Sequence, residues 1–334
     1  MTTPASALIA DIGATNARFA LLDGAELAVS ETYAVSDYAS PVEAARHFLA
    51  GPAAGHAPKR AFIAAAGPVE HGRVALTNAA WIVDPDRISK GLGMIDVHVL
   101  NDFEALAWSL PALRSEHIVT LGTPRVGDRG TMAVMGPGSG FGLAAMAFAG
   151  DAEVVLVTEG GHATLSSENR REDAIVLALR QQFHHVSVER VLSGSGLMQL
   201  YHAIARVDDE TVPERDSSEI VAHALADDCK VSREALELFC AFLGSVAGNV
   251  ALTLGARGGV FIGGGIAPRF TDFLRSSAFR ERFEAKGRLS NYLAPIPTAV
   301  IVHPMPAFIG LAHLAHVRAC ARGRDHSWPG GAAS

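Results

Sequence analysis

Cysteine is scarce in this sequence: Cys229, Cys240 and Cys320 are the only three in 334 residues, and none forms a CxxC pair. That excludes a disulfide framework and a cysteine zinc site, and leaves all three as packing residues. No glycine is followed by lysine, so a P-loop of the form G-x-x-x-x-G-K-[ST] cannot be written anywhere in the chain. Runs of Lys or Arg are also missing and the formal net charge is −7, so neither nucleic acid nor an anionic membrane is an expected partner. The N-terminal MTTPASALIADIG has no basic leader and its apolar run is cut by Asp11, which is not the pattern of a signal peptide. The least polar stretch, Ala241 to Ala256, contains Ser245 and Asn249 and reads as too short to span a bilayer. These absences predict a cytoplasmic protein that handles a small molecule.

What is present is ordinary globular material, 49% hydrophobic and 19% charged, in a chain long enough for two domains with cores of their own. SALIADIGATNARFALLDG sets two apolar runs around the turn-rich Gly13-Ala14-Thr15-Asn16 and reads as a β-hairpin. TMAVMGPGSGFGLAAMAFAG repeats the scheme, which suggests two related α/β halves. Between them the pattern predicts a helix over 41–49, a strand over 60–66 and a turn at Gly67-Pro68. Beyond them it predicts a strand over 153–158 and helices over 171–183, 217–226 and 232–254. The last is expected to begin at Ser232, with Glu234 and Glu237 in its first turns. Then comes a buried strand in GGVFIGGGIAPRF. No linker separates the halves, so the two domains are expected to share a cleft.

Three glycine clusters stand out: DIGATN at 11–16, GPGSGFG at 136–142 and GGGIAP at 263–268. Successive backbone N–H groups in such turns make nests for phosphate oxygens, although hairpins use glycine in any case. GPGSGFG fails G-x-G-x-x-G in both frames, because Phe141 or Leu143 falls where the third glycine belongs, and a strand follows where a Rossmann unit has a helix. Phosphate held between two hairpins remains, with Asp11 placed to meet a hydrated Mg²⁺ beside it.

VHVLNDFEALA, residues 97–107, runs from a strand into a helix and sets Asn101 and Asp102 side by side at the join. Either side chain suits a helix N-cap, since both accept hydrogen bonds from the first free backbone N–H groups. A carboxylate at a strand end is also where α/β folds put ligand chemistry, so the pair has two readings.

In order along the chain, DIGATNARFAL, LNDFEA, GPGSGFG, TEGGHA, ERVLSGSGL and GGVFIGGGIAPRF resemble the bacterial ATP-dependent glucokinases, in the superfamily of hexokinase, actin and the heat-shock chaperone ATPases. The resemblance spans about Ile9 to Leu314. It implies a duplicated ribonuclease-H-like fold: a small α/β domain (1–112 with 303–322), a larger α+β domain (113–302), and a cleft between them. The tail 323–334, rich in Gly, Pro and Ala, is expected to be disordered. By resemblance, Asp11, Ile12, Gly13, Ala14, Thr15 and Asn16 form one ATP phosphate hairpin and Gly136, Gly138, Ser139 and Gly140 the other. Gly264 and Gly265 then line the adenosine pocket, and Asp11 meets Mg²⁺ through water. Asn78, Asn101, Glu159, His162 and Glu189 would hold glucose hydroxyls, and Asp102 would contact the sugar as catalytic base. The family also implies a homodimer, for which the 232–256 helix or its neighbours offer a surface. Ala14, Thr158 and Ser195 depart from the family pattern, and none removes a necessary group.

That chemistry is reasonable from the residues upward. Sugar hydroxyls donate and accept, so carboxylates and a carboxamide suit them, and a missing hydroxyl would leave a polar group unpaired. Phosphoryl transfer asks only that a base orient the attacking hydroxyl and finally take its proton, which an aspartate of ordinary pKa can do. Structural alternatives remain at this point: Glu159 as a turn residue, His162 as a core histidine, Glu189 paired with Arg190. A sugar-sensing regulator on the same scaffold is the competing function. Such regulators usually carry an N-terminal helix-turn-helix, whereas this chain is acidic and enters a strand within ten residues. A chaperone-like or actin-like ATPase would have no use for Glu159, His162 and Glu189.

Overall fold

In the computed structural model, which describes residues 6–24, 26–76, 79–122 and 130–325, the chain divides into two compact units: Met1–Leu113 with Met305–Ser334, and Arg114–Pro304. Strands β1 (Ala7–Ile12), β2 (Asn16–Asp23), β3 (Glu26–Ala34), β4 (Arg60–Ala65) and, after a small antiparallel sheet of β5 (Val69–Glu70), β6 (Arg73–Ala75) and β7 (Ile82–Val83), β8 (Asp96–Asn101) build the first unit. Its main sheet has the order β3-β2-β1-β4-β8. β1 is buried along nearly its whole length, as a central strand covered on both faces must be. On one face the rings of Phe19 and Phe48 stack 6.0 Å apart, the latter from α1 (Pro41–Ala50). α2 (Pro85–Leu92) and α3 (Asp102–Ser109) complete this part of the chain, and α12 (Pro306–Asp325) returns to pack on α3, β1 and β4.

The second unit contains β9 (Ile118–Thr120), β10 (Met132–Pro137), β11 (Phe141–Ala149), β12 (Ala152–Thr158), β13 (Gly259–Ile262) and β14 (Thr298–Ile301), in the order β12-β11-β10-β13-β14-β9. In both units an antiparallel meander of three strands is followed by two strands parallel to the first. The order third-second-first-fourth-fifth therefore occurs twice, and the duplication suggested by the two hairpins is real at the level of topology. Helices α4 (Arg170–Phe183), α5 (Val188–Val191), α6 (Gly194–Val207), α7 (Ser217–Ala226), α8 (Lys230–Leu254), α9 (Thr271–Ser276), α10 (Phe279–Glu284) and α11 (Ser290–Leu293) fill out this larger unit.

Several sequence expectations need correction. The helix expected from Ser232 begins at Lys230; Cys229 is its N-cap residue and gives no side-chain capping bond, while Ser232 is fully buried and its hydroxyl accepts from Arg215 at 3.0 Å. Nor is this helix too short for a bilayer, since its 25 residues are long and apolar enough by composition alone. Its apolarity is explained by packing: it lies against α6, α7 and α10 with Phe239, Phe242 and Leu243 fully buried. A core helix has little surface for a partner, so the idea that it forms a dimer face is not favoured. At the other end, α12 continues to Asp325, so the tail expected from 323 is helical for three residues; 326–334 lie outside the described residues.

Close helix contact in the first unit depends on Gly310 of α12, where an added Cβ would run into the Ala105 carbonyl oxygen of α3. Ordinarily Gly→Ala inside a helix stabilises by about 1 kcal/mol. Here Gly310→Ala is expected to destabilise instead, by about 1–3 kcal/mol through overpacking. Denaturant titration reads the sign directly, and a stabilised variant would disprove the tight α3–α12 crossing.

Candidate active site

In the first unit the parallel register sets Ile12, Ala65 and Asn101 in one row across the C-terminal ends of β1, β4 and β8. The DIGATN hairpin and the Asn101-Asp102 join therefore open on the same sheet end. Gly13 N–H donates to the Asn16 carbonyl at 2.9 Å and closes the hairpin, and Val35 N–H donates to Thr15 O at 2.9 Å. Ala14 is not among the residues of positive φ, so its Cβ costs nothing in this turn.

Asn101 does cap α3: its Oδ1 accepts from Phe103 N at 2.8 Å, as the N-cap reading requires. It does more, because its Nδ2 donates to the Gly67 carbonyl at 2.9 Å and so ties the end of β8 to the turn after β4. Gly67 adopts φ +146°, a conformation side-chain-bearing residues rarely take, which is why the turn read simply as Gly-Pro has glycine there. Asp102 then occupies the first position of α3 and accepts from Phe103 N at 2.9 Å.

Burial pushes the Asp102 carboxyl up to about 6; the Phe103 N–H pulls it back, and the nearby Asp11 charge raises it further. The expectation of an ordinary carboxylate pKa is thus wrong, since exposure could not be read from the sequence. Asp11 is raised as well, by burial first, with Arg18 opposing. Arg18 stands opposite Asp11 in the β1–β2 register, its Nη1 3.4 Å from Oδ2.

The second unit gathers the remaining residues. Gly136 at the end of β10 has no room for a Cβ, because the Gly263 carbonyl lies against it, and Gly264, with φ +84°, is pressed in the same way on Pro137 O. GPGSGFG and GGGIAP are thus adjoining ends of parallel neighbours β10 and β13. The turn between β10 and β11 is closed by Gly138 N–H to Gly140 O at 2.8 Å, and Gly194 N–H donates to Gly138 O at 3.0 Å. That last bond brings the N-terminus of α6 to the turn, capped by Ser193, whose Oγ accepts from Gly196 N at 2.9 Å. The positive end of this 14-residue helix favours an anion there. Family resemblance assigns SGSG no role; the signal in the sequence for this helix terminus is a serine cap ahead of an apolar 3.6-residue period.

Glu189 reaches across 48 residues to accept from Phe141 N at 2.9 Å, filling the space left by Gly140, where a Cβ would sit 2.5 Å from its Oε2. It is not paired with Arg190, whose guanidinium stacks over the Phe183 ring at 4.5 Å. Gly160 and Gly161 are pressed onto Leu143 and Phe141 of β11, so the Glu159 and His162 side chains point away from the sheet. Both are largely exposed, at 72% and 63%, which removes the core-histidine alternative; His162 Nε2 and Glu159 Oε2 are 4.0 Å apart. Val188 N–H donates to Ala163 O at 2.9 Å and brings the Glu189 segment alongside this turn. Asn78 lies outside the described residues.

A family model of glucokinase matches residues 8–318, nearly the whole chain. The chain belongs to the glucokinase family. The glucokinase of Paramagnetospirillum magneticum is 45% identical over 92% of this chain and 96% of its own length, and that of a Caulobacter species (strain K31) 43% identical over 91% and 93%. Among solved structures, glucokinase from an Antarctic psychrotroph superposes with a TM-score of 0.86 at 37% identity, over 93% of this chain and 99% of the other. As a glucokinase-family member with the actin-like ATPase fold, this is an ATP-dependent hexose kinase that phosphorylates glucose.

The raised Asp102 pKa carries a cost in stability. Above its unfolded value near 3.8 and increasingly up to about 6, the folded state holds a proton that the unfolded chain has lost, so stability falls as pH rises through that window. At pH 7.5 the ionised, half-buried carboxylate should cost about 1–3 kcal/mol. Asp102→Asn keeps an oxygen for the Phe103 N–H and loses the charge, so it should unfold at a higher temperature than wild type at pH 7.5 and lose that advantage at pH 4. Equal melting at pH 7.5 would argue that Asp102 is solvated normally.

Proposed function

We propose that Asp102 is the base that accepts the proton of the glucose 6-hydroxyl as the γ-phosphoryl group of Mg-ATP is transferred to it, giving glucose 6-phosphate and ADP. The observation that carries this reading is a half-buried carboxylate, raised to about 6, fixed at the C-terminal end of β8 next to the DIGATN hairpin. Above pH 6 it is mostly ionised, and its pKa is closer to working pH than that of a free aspartate, which suits a general base. Asn101 positions it and offers the sugar its remaining amide N–H and lone pair. Glu159, His162 and Glu189 hold other hydroxyls of glucose, and Asn78 belongs with them. The exposed, outward-facing Glu159 and His162 support that role, because neither is spent on an internal partner at hydrogen-bond distance.

Asp11 to Asn16 in the first hairpin and Gly136 to Gly140 in the second supply backbone N–H groups for the ATP phosphates, and Gly264 and Gly265 line the adenosine side. For the metal, hard oxygen donors are required, and Asp11 provides one whose contact with Arg18, at 3.4 Å, is looser than a full charge-assisted bond. Mg²⁺ held there through water would supply positive charge against the phosphoryl oxygens. Among the described residues no group of three or more His, Cys, Asp or Glu side chains gathers, which fits an ion held largely by water and nucleotide.

The enzyme works in the cytoplasm as a homodimer. Support for self-association comes from the edge strand β12, which leaves Val154, Leu156 and Val157 exposed at 45%, 42% and 51%.

A coupled assay over a panel of hexoses with ATP, on wild type and Asp102→Asn, tests the assignment. Glucose is expected to be the best acceptor, and the variant should bind glucose while kcat falls by about 10²–10⁴-fold. In wild type kcat/KM should decline tenfold per pH unit below about pH 6, following the raised pKa. A limb near pH 4, or a variant of near-normal turnover, removes Asp102 from this role, and a panel with no active sugar would favour a sugar-sensing regulator.

A further inference from the structure

A cavity of about 450 Å³ opens in the second unit, on the far side of the turn that carries Glu159 and His162. Leu143, Val188, Val250 and Leu254 give it an apolar lining, and Asn249 and Thr253 stand on the exposed face of α8 at its rim. Its one basic group is Lys286. The stem of Lys286 crosses α8 at Gly248, where a Cβ would lie 2.6 Å from its Cε, so this glycine is what admits the ammonium to the cavity.

The charges around that ammonium decide what it can accept. Arg282 spends its two terminal nitrogens on the buried Glu172, at 2.6 and 3.1 Å, and its Nε lies 3.1 Å from one oxygen of Glu168. The other Glu168 oxygen is 3.6 Å from Lys286 Nζ, well beyond the roughly 2.7–2.9 Å of a charge-assisted hydrogen bond. Lys286 is therefore the loosest-held charge of the cluster, although its side chain is only 11% exposed. Burial pushes its pKa down and the Glu168 carboxylate opposes that shift; a second anion beside it would oppose it further. Glu168 is the one acidic group of the lining, and Thr158, Thr164, Ser166, Ser245, Asn249 and Thr253 add neutral polar groups among the apolar ones; a single cation is too little for a nucleotide.

We propose that this cavity binds a small amphipathic anion, an apolar body with one carboxylate, sulfonate or phosphate group for Lys286, and that its occupation changes the affinity for glucose. Thr158 and Gly160 line the cavity and flank Glu159, and Val188 lines it and precedes Glu189. A body filling the space presses on the backbone that orients those carboxylates. The coupling rests on the sugar-holding role proposed for them; the binding does not.

The probe is 8-anilinonaphthalene-1-sulfonate, titrated by fluorescence into the full chain with ADP saturating, so that the nucleotide pocket is blocked. Saturable binding is expected, weakened roughly tenfold or more by Lys286→Met, which keeps the apolar stem and removes the charge. Thr253→Trp, at an exposed rim position, should abolish it by filling the mouth. At saturating probe the glucose KM should move by roughly threefold or more while the ATP KM holds. Equal probe affinity in wild type and both variants overturns the site, and an unmoved glucose KM overturns the coupling. If Thr253→Trp shifts the oligomeric state and leaves probe affinity unchanged, the mouth belongs to a second copy of the chain and the proposal also fails. Absence of glucose-dependent turnover without probe would count against the kinase reading alone.

Discussion

The two hydrogen bonds of the Asn101 carboxamide hold together everything the first unit contributes. By accepting from Phe103 N and donating to Gly67 O, one side chain ends β8, starts α3 and binds the end of β8 to the turn after β4. Asp102 has no choice of direction once both bonds are made, because it is the first residue of a helix whose entry is fixed on two sides. Loss of either bond would release the carboxylate from the sheet end it shares with Asp11. The cap and the proposed base are therefore parts of one device, in which local helix chemistry supplies the rigidity that a base needs.

The second unit reaches a comparable end by a different route. Its strand ends are held by backbone pressed on backbone: Gly136 against Gly263, Gly264 against Pro137, Gly161 against Phe141. Such contacts leave the turns free of side chains that would fill the space the proposed nucleotide site needs. Glycine here does two jobs at once, packing neighbouring strand ends and keeping the turn bare. That joint requirement explains why the clusters are denser than a hairpin alone would call for.

Much of this was legible in the sequence, and the exceptions share a cause. The hairpins, the 217–226 helix and the strand-to-helix join follow from local periodicity and turn chemistry, which neighbours in sequence determine. The proposed site residues come from motifs that occur in order and carry donor and acceptor types suited to a sugar and a phosphate. What could not be read depends on distant partners: Glu189 bonds to an amide 48 residues away, and Asp102 owes its pKa to burial that only the folded sheet creates. Ser232 failed as a cap for the same reason. Its hydroxyl is taken by Arg215, and the helix runs past it to Lys230 because the buried face continues through Val231.

The same burial decides how the proposed base can work. An exposed aspartate would be ionised at all working pH values and weakly basic, while full burial would keep it protonated and useless as an acceptor. The Phe103 N–H and the helix N-terminus stabilise the anion, and desolvation together with the Asp11 charge opposes it. The balance near 6 leaves the group ionised at neutral pH with more basicity than free aspartate. Asp11, itself in contact with Arg18, contributes to that balance through its charge.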